Sequence, residues 1–156
     1  MMKTEITPIE VVSLLHDMGY RASYEHQDGM RGVITSASQG HDWTIFLGDV
    51  LEDVPTEVLR FNFPIVVNPV AYPVGKICNE YNETYSFGCA YYSLDDYGVL
   101  DGKALLNLDF AVSCTGGVSE DWLRDQLEKW DVCLHDFFSI VVKNMDMDLD
   151  IDDDSF

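Results

Sequence analysis

Residues 103–144 read KALLNLDFAVSCTGGVSEDWLRDQLEKWDVCLHDFFSIVVKN and hold a strand, a break and a helix in succession. Ala104, Leu106, Leu108, Phe110 and Val112 alternate with Lys103, Asn107 and Asp109, the period-two pattern of a half-buried strand. Gly116-Gly117 interrupts the run. Ser119 then stands where a hydroxyl can cap the free amides of a helix. Val118 and Leu123 flank it as a hydrophobic staple. Leu123, Leu127, Trp130, Leu134, Phe137 and Val141 follow at steps of four, three, four, three and four, which is the spacing of a buried helical stripe. Trp122, Cys133, Phe138 and Ile140 widen that stripe, and the helix is predicted to end near Lys143-Asn144.

The rest of the chain extends the same logic backwards. Pro73 opens a second helix in which Val74, Ile77, Cys78 and Tyr81 recur at helical spacing, with Tyr85 one turn further on. Phe87, Cys89 and Tyr91 line one face of a following strand, with Ala90, Tyr92 and Leu94 opposite, and Asp95-Asp96-Tyr97-Gly98 turns it into the 103–112 strand. Upstream, Leu59, Phe61 and Phe63 alternate with Arg60 and Asn62, while Pro64 and Pro69 predict that this strand ends or lies at an edge. Short strands are expected at Ala22–His26, Met30–Thr35 and Trp43–Leu47, the first two joined by a Gln27-Asp28-Gly29 turn. Thr7-Pro8-Ile9-Glu10 is a capping box opening a first helix whose Ile9, Val12, Leu15 and Met18 share a face, with Val11 and Leu14 beside them; Gly19 sits at its stop.

Strands without βαβ alternation point to an α+β fold, an antiparallel β-sheet with three helices in the order α-β-β-β-β-α-β-β-α. Residues 1–144 are expected to form one domain and 145–156 an acidic, disordered tail.

Twenty-eight acids against nine bases give the 156-residue chain a formal charge of −19. Six of those acids fall at Asp146, Asp148, Asp150 and Asp152 to Asp154, so the acidity belongs to the body as well as the tail. Such a field repels nucleic acid and anionic membrane surfaces and favours a basic partner. No apolar run approaches the roughly 20 residues of a membrane helix, and no signal core follows the first Lys, so the expected location is the cytoplasm. Cys78, Cys89, Cys114 and Cys133 form no C-x-x-C and are expected to be buried, reduced thiols acting as small hydrophobes.

Catalytic and metal signatures fail on particular residues. Gly116-Gly117 lacks the Lys-Ser/Thr of a phosphate loop, and no Gly-x-Ser-x-Gly elbow occurs. Cys133 and His135 are two apart on one helix, so their side chains diverge. Asp146-x-Asp148-x-Asp150 resembles the start of a calcium loop, but Ile151 replaces its Gly and no closing Glu follows. No enzyme activity, catalytic residue, cofactor or metal is expected. The candidate binding residues are the aromatics of the last helix, Trp122, Trp130, Phe137 and Phe138. Trp122 adjoins Leu123 and Phe137 adjoins Phe138, so the apolar arc is wide enough to face both a core and a partner.

The second half of the chain resembles the YbjN family of bacterial sensory transduction regulators. The resemblance rests on Asn79-Glu80-Tyr81-Asn82, then Phe87, Ala90-Tyr91, the acidic turn at Asp95-Asp96, Leu108-Asp109, and Gly116-Gly117-Val118-Ser119 leading into Leu123 and Phe137. It implies a fold similar to type III secretion chaperones, which are small, acidic, commonly dimeric and hold client segments on apolar surface. The expected function is that of a non-enzymatic protein-binding regulator or chaperone-like module. Its partner would be another protein with a basic or apolar segment, not a nucleic acid or membrane, and a homodimer is admitted. Two other classes remain open at this point: an acidic mimic of nucleic acid that blocks a DNA-binding protein, and an enzyme whose site carries no motif.

Overall fold

A computed structural model describes the backbone of residues 2–3, 6–25, 32–47, 56–70, 72–84, 88–94, 102–115 and 118–154, and their side chains except at 2–3, 84 and 145–154. In chain order the elements are β1 (Met2–Lys3), α1 (Pro8–Asp17), β2 (Ala22–Glu25), β3 (Val33–Ser38), β4 (His41–Phe46) and β5 (Val58–Val67), then α2 (Val74–Thr84), β6 (Cys89–Ser93), β7 (Ala104–Ser113), β8 (Val118–Ser119) and α3 (Glu120–Asp154). The expected α+β order of three helices and six main strands is present. The two-residue strands β1 and β8, which pair with each other, add to it. The main sheet runs β2-β3-β4-β5-β7-β6, with antiparallel registers at β2/β3, β3/β4, β4/β5 and β6/β7. The Gln27-Asp28-Gly29 and Asp95–Gly98 turns, together with Tyr85 and Phe87, lie outside the described residues.

Two elements depart from the sequence reading. β5 continues through Pro64 to Val67 and is an interior strand rather than an edge. Its register with β4 covers only Arg60 to Asn62, so Pro64 lies beyond that ladder and its missing N–H breaks none of those bonds. α3 runs past Lys143-Asn144 to Asp154. No Gly or Pro follows Asn144 to stop it.

The chain packs as two compact units, one combining Met1–Phe63 with Phe110–Asp131, the other Pro64–Asp109 with Val132–Phe156. In the first, Trp43, Phe61 and Trp130 make the centre, with ring centroids 5.5 to 6.0 Å apart. Tyr20 meets Trp43 edge-on. A polar chain ties this cluster down. The Trp43 indole N–H donates to Ser38 Oγ at 3.0 Å, Ser38 donates to Asp131 Oδ1 at 2.7 Å, and the Tyr20 hydroxyl donates to Asp131 Oδ2. The β3–β4 turn, Gln39-Gly40, has both φ values positive (54° and 79°), as a two-residue hairpin of the favoured twist requires. From there the Gln39 amide donates to the Asp131 carbonyl at 3.0 Å.

In the second unit Tyr81 packs edge-on against Phe137 at 5.7 Å among the buried Ile77, Leu106, Leu108 and Leu134. Asn82 reaches from α2 to β6, accepting from the Ala90 N–H at 2.8 Å and donating to the Ala90 carbonyl at 2.9 Å. It thereby acts as a one-residue strand on the outer edge of β6, which ends the sheet. Lys143 and Lys76 both approach the Glu80 carboxylate, at 3.6 and 3.9 Å.

Candidate functional site: an apolar groove with an acidic rim

A half-open pocket of about 390 Å³ lies in the first unit between α1 and the start of α3. Its walls follow from pairings distant in sequence. β1 lies along β8, setting Lys3 opposite Val118 and Met2 opposite Ser119. The Thr56 N–H then holds the Ile6 carbonyl at 2.8 Å. Thr7 begins α1 with the expected capping box, its backbone N–H and hydroxyl both directed to Glu10 Oε1. α1 closes on Gly19 at φ 92°, with the Tyr20 N–H bonded to the Leu15 carbonyl and the Gly19 N–H to that of His16, a complete left-handed stop. α3 starts on the Ser119 cap, which accepts from the Trp122 N–H at 3.0 Å. The expected staple pair, Val118 and Leu123, is buried beside it.

Ile6, Leu14, Val118 and Leu123 give the pocket an apolar floor, and Ile9, half exposed, overhangs it. Ser13 and Ser119 contribute hydroxyls, and Glu10, Asp17 and Glu120 contribute carboxylates; no basic side chain is in the lining among the described residues. The nearest described cation on α3 is Arg124, which pairs with Glu120 at 3.1 Å. Asp17 stands in the last turn of α1, where the helix dipole favours a cation, and no described cation forms an ion pair with it.

The four aromatics expected to bind a partner are placed differently from one another. Trp130 and Phe137 are wholly buried, one in the core of each unit, so neither offers surface to a partner. They lie on the inward stripe, which is the direction the four-three spacing dictates. Trp122 and Phe138 are half-buried, and none of the four lines the groove. The sequence reading missed Ile9, Ser13 and Asp17. The buried face of α1 is Val11, Leu14 and Leu15, so Ile9 is apolar surplus on another face. That surplus, with an acid in the last turn, was the available signal.

Chemistry is sparse among the described residues. No histidine or cysteine lines the groove. Of the four cysteines expected to be buried, Cys89 is exposed at the start of β6; Cys78, Cys114 and Cys133 are buried, and burial pushes each above the usual thiol range, Cys78 up to about 11. Tyr20 is raised as well, by burial first and then by the Asp131 carboxylate. No group of three His, Cys, Asp or Glu side chains is arranged to hold a metal, and no helix is long and apolar enough to cross a membrane, among the described residues. Asp95-Asp96 and the side chains of the Asp146–Asp150 alternation lie outside those residues.

A six-stranded antiparallel sheet with three helices defines an α+β domain. The chain belongs to the YbjN family, described as "Putative bacterial sensory transduction regulator", whose model matches residues 8–141. Two solved structures share the fold. One is described as YbjN, "a putative transcription regulator from E. coli", with TM-score 0.60, 17% identity, and 86% of this chain and 89% of that one covered. The other is an uncharacterized protein from Methanothermobacter thermautotrophicus, with TM-score 0.57, 10% identity, and 86% and 96% covered. No curated protein matches the chain.

Proposed function

We propose that this chain is a non-enzymatic cytoplasmic regulator that works by binding another protein. The observation that carries the reading is the α1–α3 groove, which offers an apolar floor and a carboxylate rim and is lined, among the described residues, by no cysteine or histidine. A site built to bind needs complementary surface, and an apolar floor beside carboxylates supplies it for an apolar segment bearing positive charge. The family description as a regulator supports the same reading. A chaperone-like hold on an apolar client segment is its finer form. The nucleic-acid-mimic alternative draws on charge alone, and that charge is shared between the units: fifteen acids with six bases in the first, thirteen with three in the second.

The test is affinity capture from bacterial cytoplasm at low and moderate salt, followed by calorimetry of the purified pair. A stoichiometric complex that forms without turnover of either component is expected. Absence of any protein partner at both salt concentrations overturns the reading.

A further inference from the structure

The α1–α3 groove also specifies the chemistry of its occupant. Resting on the protein-binding reading above, we propose that it receives a short amphipathic helix of a partner protein, with its apolar side chains on the groove floor and Lys or Arg at its flanks. The pocket's volume of about 390 Å³ falls within the ~300–1,000 Å³ of sites that enclose a compact apolar group. That leaves room for roughly two or three large side chains, the scale of an interface hot spot. Ile6, Leu14, Val118 and Leu123 reward apolar anchors, and Ile9 at 50% exposure gains most from being covered.

Charge selects among occupants. Glu10, Asp17 and Glu120 edge the groove with no basic residue among its described lining; Glu10 is engaged by the Thr7 cap and Glu120 by Arg124, so a partner's cation is drawn foremost to Asp17. The chain's own C-terminal segment, alternating Asp with Met, Leu and Ile, has suitable apolar residues but the wrong charge. A second copy brings its own −19 and is opposed for the same reason. Asp17 adds an independent sign. It opposes the dipole at the end of α1, a local conflict of the kind retained where a site needs the charge.

The experiment uses the full chain and labelled synthetic helical peptides with Leu, Ile or Phe at i, i+3, i+4 and i+7, flanked by Lys, beside the same peptides flanked by Glu. Fluorescence anisotropy reads affinity, and backbone amide shifts of Ile9, Ser13 and Leu123 locate the bound peptide. The Lys peptides are expected to bind, more weakly as salt rises, and the Glu peptides not to bind. Asp17→Lys and Ser13→Arg, both at exposed positions, are expected to weaken binding about tenfold or more. Asp42→Lys, an exposed position outside the groove with the same change in net charge, is expected to change it by no more than about twofold. Asp17→Lys is expected to fold at least as stably as the parent, because it corrects the helix end, so its loss of binding cannot come from unfolding.

Lys-peptide binding that survives both groove variants overturns the groove assignment while leaving protein binding intact. Failure of every Lys peptide to shift the groove amides overturns it also, as does a small apolar molecule shifting those amides where no peptide does. The protein-binding reading itself falls only to the capture experiment.

Discussion

Truncating Asn82 to Ala should cost far more than its exposure suggests. Its amide makes both outer-edge bonds of Ala90, at 2.8 Å to the N–H and 2.9 Å to the carbonyl, and Ala90 is 2% exposed. Asn82→Ala leaves the Ala90 N–H without its partner and the carbonyl with only the weak Cys89 thiol donor at 3.7 Å, and an unmet buried group costs about 1–3 kcal/mol. Asn82 itself is exposed, so water can enter the vacated space and hold the loss toward the lower end, about 2–3 kcal/mol in all. For a chain of this size that lowers the melting temperature by roughly 4–12 °C. Asn82→Asp separates the two bonds. It keeps the acceptor for the Ala90 N–H but sets an oxygen against the Ala90 carbonyl, so it should fall between Ala and the parent. Asn79→Ala, on the exposed side of the same helix, should change stability by less than about 0.5 kcal/mol. Urea denaturation measures all three, and amide exchange at Ala90 reports the bond directly. Asn82→Ala within about 0.5 kcal/mol of the parent, with unchanged exchange at Ala90, would refute the edge-strand argument.

Gly88→Ala should destabilise well beyond Gly40→Ala in thermal melts. Both glycines have positive φ, near 72° and 79°, but only at Gly88 would a Cβ meet backbone, the Asp109 carbonyl oxygen at 2.7 Å. Trp130→Phe should be tolerated within about 2 kcal/mol, because the indole N–H is buried with no acceptor among the described residues, whereas Trp130→Ala should cost about 3–5 kcal/mol by denaturation. Stability should decline at alkaline pH. Tyr20 and the thiols of Cys78, Cys114 and Cys133 hold their protons more tightly folded than unfolded, so their contribution is full below the unfolded values and lost as pH rises from about 9. Tyr20→Phe should shrink the part of that decline that begins near pH 10, read by denaturation at a series of pH values.

What could be read from the sequence depended on how local its cause was. β7 and the Ser119-capped α3 were legible because alternation, cap, staple and stripe all act within a few residues of one another. Whether Pro64 ends β5 could not be read there. A proline is tolerated outside the paired stretch of a strand, and the ladder with β4 spans only Arg60 to Asn62, a register that depends on a strand about twenty residues away in sequence. The same limit applied to the aromatics. Spacing placed Trp130 and Phe137 inside, but it could not say that the width added by Trp122 and Phe138 would stay only half-buried.

The groove is the least local feature of all. It exists because β1 pairs with β8 and brings the Thr7 cap of α1 beside the Ser119 cap of α3, two capped helix starts that sequence analysis recognised separately but had no means to juxtapose. Local rules still left a trace. Five apolar residues at Ile9, Val11, Val12, Leu14 and Leu15, with Met18 at the cap, are more than one buried face of a ten-residue helix can use, and Asp17 ends that helix with the sign its dipole disfavours. Each anomaly alone is the ordinary noise of a surface helix. Together, on the one wall that faces the start of α3, they are the two ingredients of a surface made for an apolar segment bearing positive charge.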